Sequence, residues 1–274
     1  MSISKIKNKI KIKNIVVKIG LFVVLLLINI GNLSAQSTLK IAATASSGVI
    51  LEFIKPKLAS HGIDLTILIF NDYLLPNKQL ADKKIDANFV QHLPYLQQFN
   101  SEHEANLIVV GNVLIAPFAA YSTKFKTIAE LPNEAKVVIP NDQINGARAL
   151  LLLQQAGLIT LNMANSHAQI SNITSNSKNL NFIEVDLSKK FIPSLLRAND
   201  LVLMNLHYAL AMDLNPQDDA VIVEQNESPY VNVVATHPDN KDLPELQILI
   251  NELHSDATRE FILQHFKGNV IPVF

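Results

Sequence analysis

The stretch Gly62–Asn100 reads GIDLTILIFNDYLLPNKQLADKKIDANFVQHLPYLQQFN. Leu65 to Phe70 is a short apolar run rich in isoleucine and leucine, the pattern of a buried strand. Tyr73 to Asp82 has helical spacing and starts around Pro76, a residue suited to a first helical turn. Ile85 to Val90 is a second strand, and Pro94 to His103 a second helix. Strand, helix, strand, helix within 39 residues predicts an α/β fold.

The same alternation extends outward. Leu39 to Thr44 reads as a strand and Val49 to Leu58 as a helix. Leu107 to Tyr121 is long and apolar but contains Pro117, which a central strand does not accept, so a break or crossing is expected there. Lys136 to Pro140, Leu180 to Val185, Leu201 to Asn205 and Val231 to Ala235 read as strands. Ala147 to Ala156 reads as a helix closed by Gly157. Pro193 to Ala198, Leu206 to Met212 and Asp256 to Phe266 read as further helices. Asp242-Leu-Pro-Glu245 has the capping pattern of one more, running to about His254. Asn162 to Asn179 is polar and reads as a surface excursion. The alternation predicts a mostly parallel sheet covered by helices, with ligands at the carboxyl ends of its strands.

The first 35 residues differ. Lys5, Lys7, Lys9, Lys11, Lys13 and Lys18 form a basic head, followed by the apolar run Ile19 to Ile30, broken only by Asn29. That run is shorter than the roughly 20 residues of a spanning helix. With Leu33-Ser34-Ala35 after it, the segment reads as a cleaved secretory signal over residues 1–35. An uncleaved anchor is the alternative. The leader holds six of the 23 basic residues and none of the 24 acidic ones, so the remainder carries 17 basic against 24 acidic, a formal charge of −7. A nucleic-acid binder would show a basic surface instead. There is no cysteine, which excludes disulfides, thiolate metal sites and a cysteine nucleophile.

Four polar clusters fall at strand ends. Asp86 to Tyr95 carries Phe89, His92 and Tyr95; packing alone would also account for Phe89. Ile139 to Arg148 enters a helix start, where free N–H groups favour anions. Arg148 would lie in the first helical turn, a poor match to the helix dipole that a bound anion would relieve; pairing with Asp142 is the alternative. Met204 to Tyr208 and Ser228 to Asn232 supply Asn205 and Asn232, either ligand groups or turn residues. An arginine, several amides and an aromatic wall suit a zwitterion with an apolar side chain, an amino acid. No nucleophile elbow, phosphate loop or His-Glu-x-x-His motif is present.

At these clusters the chain resembles the methionine-binding proteins of bacterial ABC importers, the new lipoprotein A family. The resemblance rests on Gly62–Asn100, on VVIPNDQINGARALLLLQQAGLI (residues 137–159) and on ESPYVNVVA (residues 227–235). Its most specific elements are Asn-Asp-x-x-Asn-Gly-x-Arg and Gln-His-x-Pro-Tyr. The resemblance implies two α/β lobes of the type II periplasmic binding-protein kind, joined by two crossing hinge strands near Pro117 and Pro229. Residues 38–115 and 232–274 would form one lobe and 116–231 the other. It implies that Arg148 holds the ligand carboxylate and that Asn145, Asn205 and Asn232 bond its backbone. Tyr73, Phe89, His92 and Tyr95 would line the side-chain pocket. The implied protein is a monomeric periplasmic receptor serving an ABC permease, with no catalytic step, cofactor or metal. Three features depart from the family pattern: the loop expected after the first strand, here Ser46–Val49, and the residues Val90 and His207. Gln36 stands at or near the usual lipidated cysteine, which implies an untethered receptor. The ligands this leaves are L- or D-methionine, a methionine dipeptide or another apolar amino acid. A metal receptor or an enzyme on the same fold is the rival reading.

Overall fold

The computed structural model describes residues 37–225 and 228–274; the expected leader, residues 1–35, lies outside the described residues. β1 (Ser37–Ala43) leads into α1 (Ala45–Ser60), β2 (Ile63–Ile69), α2 (Leu74–Ala81), β3 (Ala87–His92), α3 (Leu93–Glu102) and β4 (Ile108–Ile115). After Ala116-Pro117 come β5 (Phe118–Tyr121), β6 (Lys136–Pro140), α4 (Gln143–Gln155), β7 (Ile159–Leu161), β8 (Ile173–Asn176), β9 (Asn181–Val185), α5 (Ile192–Ala198), β10 (Leu201–Asn205), α6 (Leu206–Leu210), α7 (Pro216–Asp219) and β11 (Ala220–Val223). The chain returns through β12 (Val231–Thr236), α8 (Pro244–Leu253), α9 (Asp256–His265) and β13 (Ile271–Pro272).

These strands form a six-stranded sheet, order β13-β4-β12-β3-β1-β2, and a five-stranded sheet, order β11-β5-β10-β6-β9. The first draws on the chain before Ala116 and after Tyr230, the second on the chain between. Two links therefore join the sheets, Ala116-Pro117 and residues 224–230. Proline lacks the N–H that a sheet ladder needs, so the apolar run 107–121 breaks where the chain changes sheet.

The sheets are mixed rather than mostly parallel. β1 pairs parallel with β3, and β6 parallel with β9 and β10. β12 runs antiparallel to both β3 and β4, and β5 antiparallel to β10 and β11. The reason is the double crossing: β4 leads out of the first sheet and its neighbour β12 leads back, so the two must point in opposite directions.

Each sheet buries both faces. On the six-stranded sheet, Leu39, Ile41, Ala43 and Phe89 pack against Ile50, Leu51 and Ile54 of α1, while Ala42 and Val90 on the other face pack with Leu80, Leu96 and Phe99. On the five-stranded sheet, Val137, Ile139 and Leu203 pack with Ala149, Leu150 and Leu153 of α4, and Val138, Val202 and Met204 with Ile192 and Leu196. Two such faces bury a sizeable apolar area at about 25 cal/mol per Å².

Several elements begin elsewhere than the sequence suggested. Ser46–Val49 is the first turn of α1, not a loop: Thr44 and Ser47 form a capping box, with Thr44 N–H donating to Ser47 Oγ at 3.0 Å. α4 starts at Gln143, capped by Asp142, whose Oδ1 accepts from Asn145 N–H at 2.9 Å. Arg148 therefore stands in the second turn, and the helix-dipole argument for it fails. The polar excursion 162–179 contains β8, which pairs antiparallel with β7. α8 is capped by Leu243 without a side-chain bond, so Asp242 makes no capping box. No described helix is long and apolar enough to cross a membrane.

Candidate functional site

α4 approaches the end of β6 closely because residue 146 is glycine. A Cβ there would lie 2.9 Å from the Pro140 carbonyl oxygen. This close approach sets Asn145 and Arg148 beside the two crossings.

Arg148 is 2% exposed and ties the crossings together. Its Nε donates to Glu224 Oε1 at 3.0 Å, and its Nη2 donates to the other Glu224 oxygen and to the Ala116 carbonyl at 3.0 Å. Its guanidinium lies over the rings of Tyr230, 4.2 Å from the centroid, and Phe118, 5.2 Å away. Such a forked, stacked arrangement suits arginine and no other side chain. The expected alternative partner, Asp142, is not used. Nη1 has no hydrogen-bond partner among the described residues. Glu224 carried no signal in the sequence, and Tyr230 stood in the Ser228 to Asn232 cluster without an assigned role: each lies 76 or more positions from its partner arginine.

Behind this lies an amide relay. Asn145 Oδ1 accepts from Asn205 Nδ2 at 2.9 Å and faces His92 Nε2 at 3.2 Å, while Asn145 Nδ2 donates to Asp142 Oδ1 at 2.9 Å. His92 Nδ1 accepts from Tyr95 N–H at 3.3 Å, which places the ring hydrogen on Nε2. Burial, assisted by the Arg148 charge, pushes the His92 pKa down to about 3, so the ring is neutral near pH 7. Burial also raises the Asp142 carboxyl above its ordinary range.

The structure brings Arg148, Asn205, Asn232, Tyr73, His92 and Tyr95 around one small pocket, with Val90, Gln91, Ala116 and His207. Two expected residues are not in its wall. Asn145 is fully buried and stands behind it, holding Asn205 and His92. Phe89, 1% exposed, is a correction: it belongs to the core under α1. Phe89 packs with Ile41, Ile50 and Ile54 on the α1 side of β3, whereas the three residues after it, Val90, Gln91 and His92, border the pocket.

Tyr73 and Tyr95 meet edge-on, with centroids 5.1 Å apart. Together with Asn205 they also wall an outer cleft of about 480 Å³, bordered by Asp72, Asp142, Asp186, Lys189 and Tyr208. Arg148, Asn232 and Ala116 wall the inner pocket alone. No three His, Asp or Glu side chains converge as a metal-ligand set among the described residues.

Two α/β lobes between which the chain passes twice, with a pocket walled by residues of both sheets, define a two-lobed periplasmic binding-protein fold. This chain belongs to the NlpA lipoprotein family, whose model matches residues 39–274. The Haemophilus influenzae protein named "Probable D-methionine-binding lipoprotein MetQ" is 41% identical over 213 residues, 77% of either chain. The Bacillus subtilis "Methionine-binding lipoprotein MetQ" is 35% identical over 252 residues, 89% of this chain and 91% of the relative. A solved nutrient binding protein from Burkholderia cenocepacia, bound to methionine, has a TM-score of 0.81 at 34% identity, covering 86% of this chain and 100% of that one.

Proposed function

We propose that this chain is a periplasmic solute receptor that closes on methionine and delivers it to an ABC permease, with no catalytic step. The observation that carries the reading is Arg148, buried between the crossings with Nη1 free of any described partner. Nη1 is the group offered to the ligand carboxylate, and Glu224 and Ala116 hold the rest of the fork in place. Asn205 and Asn232 bond the ligand's backbone groups, and Asn145 orients Asn205. Tyr73, Tyr95 and His92 meet the side chain; a thioether beside aromatic rings gains about 0.3–1.5 kcal/mol. The names of the relatives and the methionine-bound neighbour support the same ligand.

The lobes are residues 38–115 with 232–274, and 116–231, opening and closing about the two crossings. Protein unfolded, dialysed and refolded to remove ligand is expected to release heat on titration with L- or D-methionine, with a micromolar or tighter Kd, about −8 kcal/mol. No heat with either enantiomer would overturn the reading.

In the periplasm the receptor is a monomer without a lipid tether, because Gln36 cannot take the acyl chain that a cysteine would. Intact mass of the exported protein is expected to match a chain beginning at Gln36. A full-length chain retained in membranes would refute this.

A further inference from the structure

Asn77 and Asn88 are fully buried and Gln91 is 2% exposed. Their three amides bond one another. Asn77 Nδ2 donates to Gln91 Oε1 at 2.6 Å, and Asn88 Nδ2 donates to Asn77 Oδ1 at 2.7 Å. Gln91 Nε2 donates to Asn77 Oδ1 at 2.7 Å and to Asn88 Oδ1 at 3.3 Å. No buried side-chain atom of the three lacks a partner among the described residues. Gln91 borders the inner pocket, yet both of its amide hydrogens point into the triad, so it has no side-chain N–H left for a ligand.

The triad spans an irregularity in β3. Residues three apart on a regular strand point to opposite faces, but Asn88 and Gln91 both reach Asn77. The pairing with β12 shows how. Ala235 faces Asn88 and Val233 faces Gln91, so β3 advances one residue more than β12 between these pairs, a β-bulge. A bulge re-aims the side chains around it. Here Val90, Gln91 and His92 all border the pocket, whereas Phe89 stays in the core.

Asn77 ties this bulge to a second element. It lies in α2, about one helical turn after Tyr73, which stands at the start of that helix and borders the pocket. The strand that carries Val90 and His92 and the helix that follows Tyr73 are thus joined through the Asn77 amide. Apolar packing between the two would tolerate small shifts. A buried amide triad favours the one arrangement that satisfies all its donors, because an unpaired buried polar group is costly. We propose that Asn77, Asn88 and Gln91 are positioning residues of the binding site: their triad fixes the β3 bulge against α2 and so holds His92 and Tyr73 at the pocket before ligand arrives. The inference rests on the amino-acid reading of that pocket.

A triple variant, Asn77→Leu with Asn88→Leu and Gln91→Met, tests it. It keeps similar side-chain shapes and removes all three amides together, so no member is left buried without its partners. By calorimetry on refolded protein, methionine affinity is expected to fall about tenfold or more, the worth of one misplaced polar contact; a smaller fall overturns the proposal. The ring ¹⁵N resonances of His92 should also move in the ligand-free variant, and unmoved resonances overturn it. Leu249→Ala, which empties a buried site in α8, is the control. It should lower the urea midpoint and leave both methionine affinity and the His92 resonances unchanged; a fall in affinity equal to the triple variant's would make the effect a general loss of stability and overturn the proposal. Should the triple variant not fold, the wild-type chain decides. Side-chain amide hydrogens of Asn77 and Gln91 that resist exchange before methionine is added support the proposal, and free exchange there overturns it. If wild type binds neither enantiomer of methionine, the amino-acid reading falls, and the His92 resonances alone decide whether the triad sets β3.

Discussion

Replacing Arg148 with alanine is expected to lower stability by about 3–5 kcal/mol and to take methionine affinity below detection by calorimetry. The two effects have different causes. Stability falls because Glu224, 13% exposed at its side chain, loses both donors of the fork and keeps, among the described residues, only the Phe118 N–H, at 3.4 Å. A carboxylate removed from water and left without its cation is costly. Affinity falls because Nη1, the group assigned to the ligand carboxylate, is gone. A double variant separates them: Arg148→Met with Glu224→Leu should recover most of the stability, since apolar side chains of similar volume often replace a buried pair at little cost. It should not recover binding. Urea denaturation and calorimetry measure the two quantities. A single variant within about 1 kcal/mol of wild type would show that the pair is not the desolvated clamp described here.

Phe89→Ala is expected to cost about 3–5 kcal/mol in urea denaturation, the usual range for emptying a buried aromatic site. Methionine affinity of the folded fraction should stay within about twofold, since a residue outside the pocket wall contributes no direct contact. This reverses what a pocket residue would do. The ring lies on the α1 face of β3 with Ile41, Ile50 and Ile54, whereas Val90 and His92 border the pocket. Loss of affinity with little loss of stability would return Phe89 to the pocket wall.

The sequence showed a good deal of this. β6 and β10 fall on the residues that their apolar runs predict, Lys136–Pro140 and Leu201–Asn205, because a buried strand's signal is local. Pro117 marked the first crossing for the same reason: a missing N–H is a property of one residue. Where an element had no strong local pattern it was missed. β11 and β13 span only Ala220–Val223 and Ile271–Pro272 and owe their place to neighbours in the sheet. The start of α4 was read four residues late because its first turn is polar and faces a site instead of the core.

For the site, local chemistry named an arginine, amides and aromatic rings at strand ends, the family resemblance added Tyr73 and Asn145, and six of these eight residues meet around one pocket. Their division of labour was not local. Every residue of β3 is buried, so alternation alone could not say which face was core and which was pocket, and Phe89 was placed on the wrong one. Asn145 read as a ligand group and is instead the support for Asn205 and His92. By itself the sequence determined the alternation of strand and helix, the break at Pro117 and the kind of ligand chemistry on offer, because each depends on residues within a turn or two of one another. Only the tertiary structure decided that Arg148 answers to Glu224 and that a buried ring nitrogen of His207 has no partner among the described residues. Those facts depend on distances between segments far apart in the chain, and hydrogen bonds and desolvation respond to separation in space.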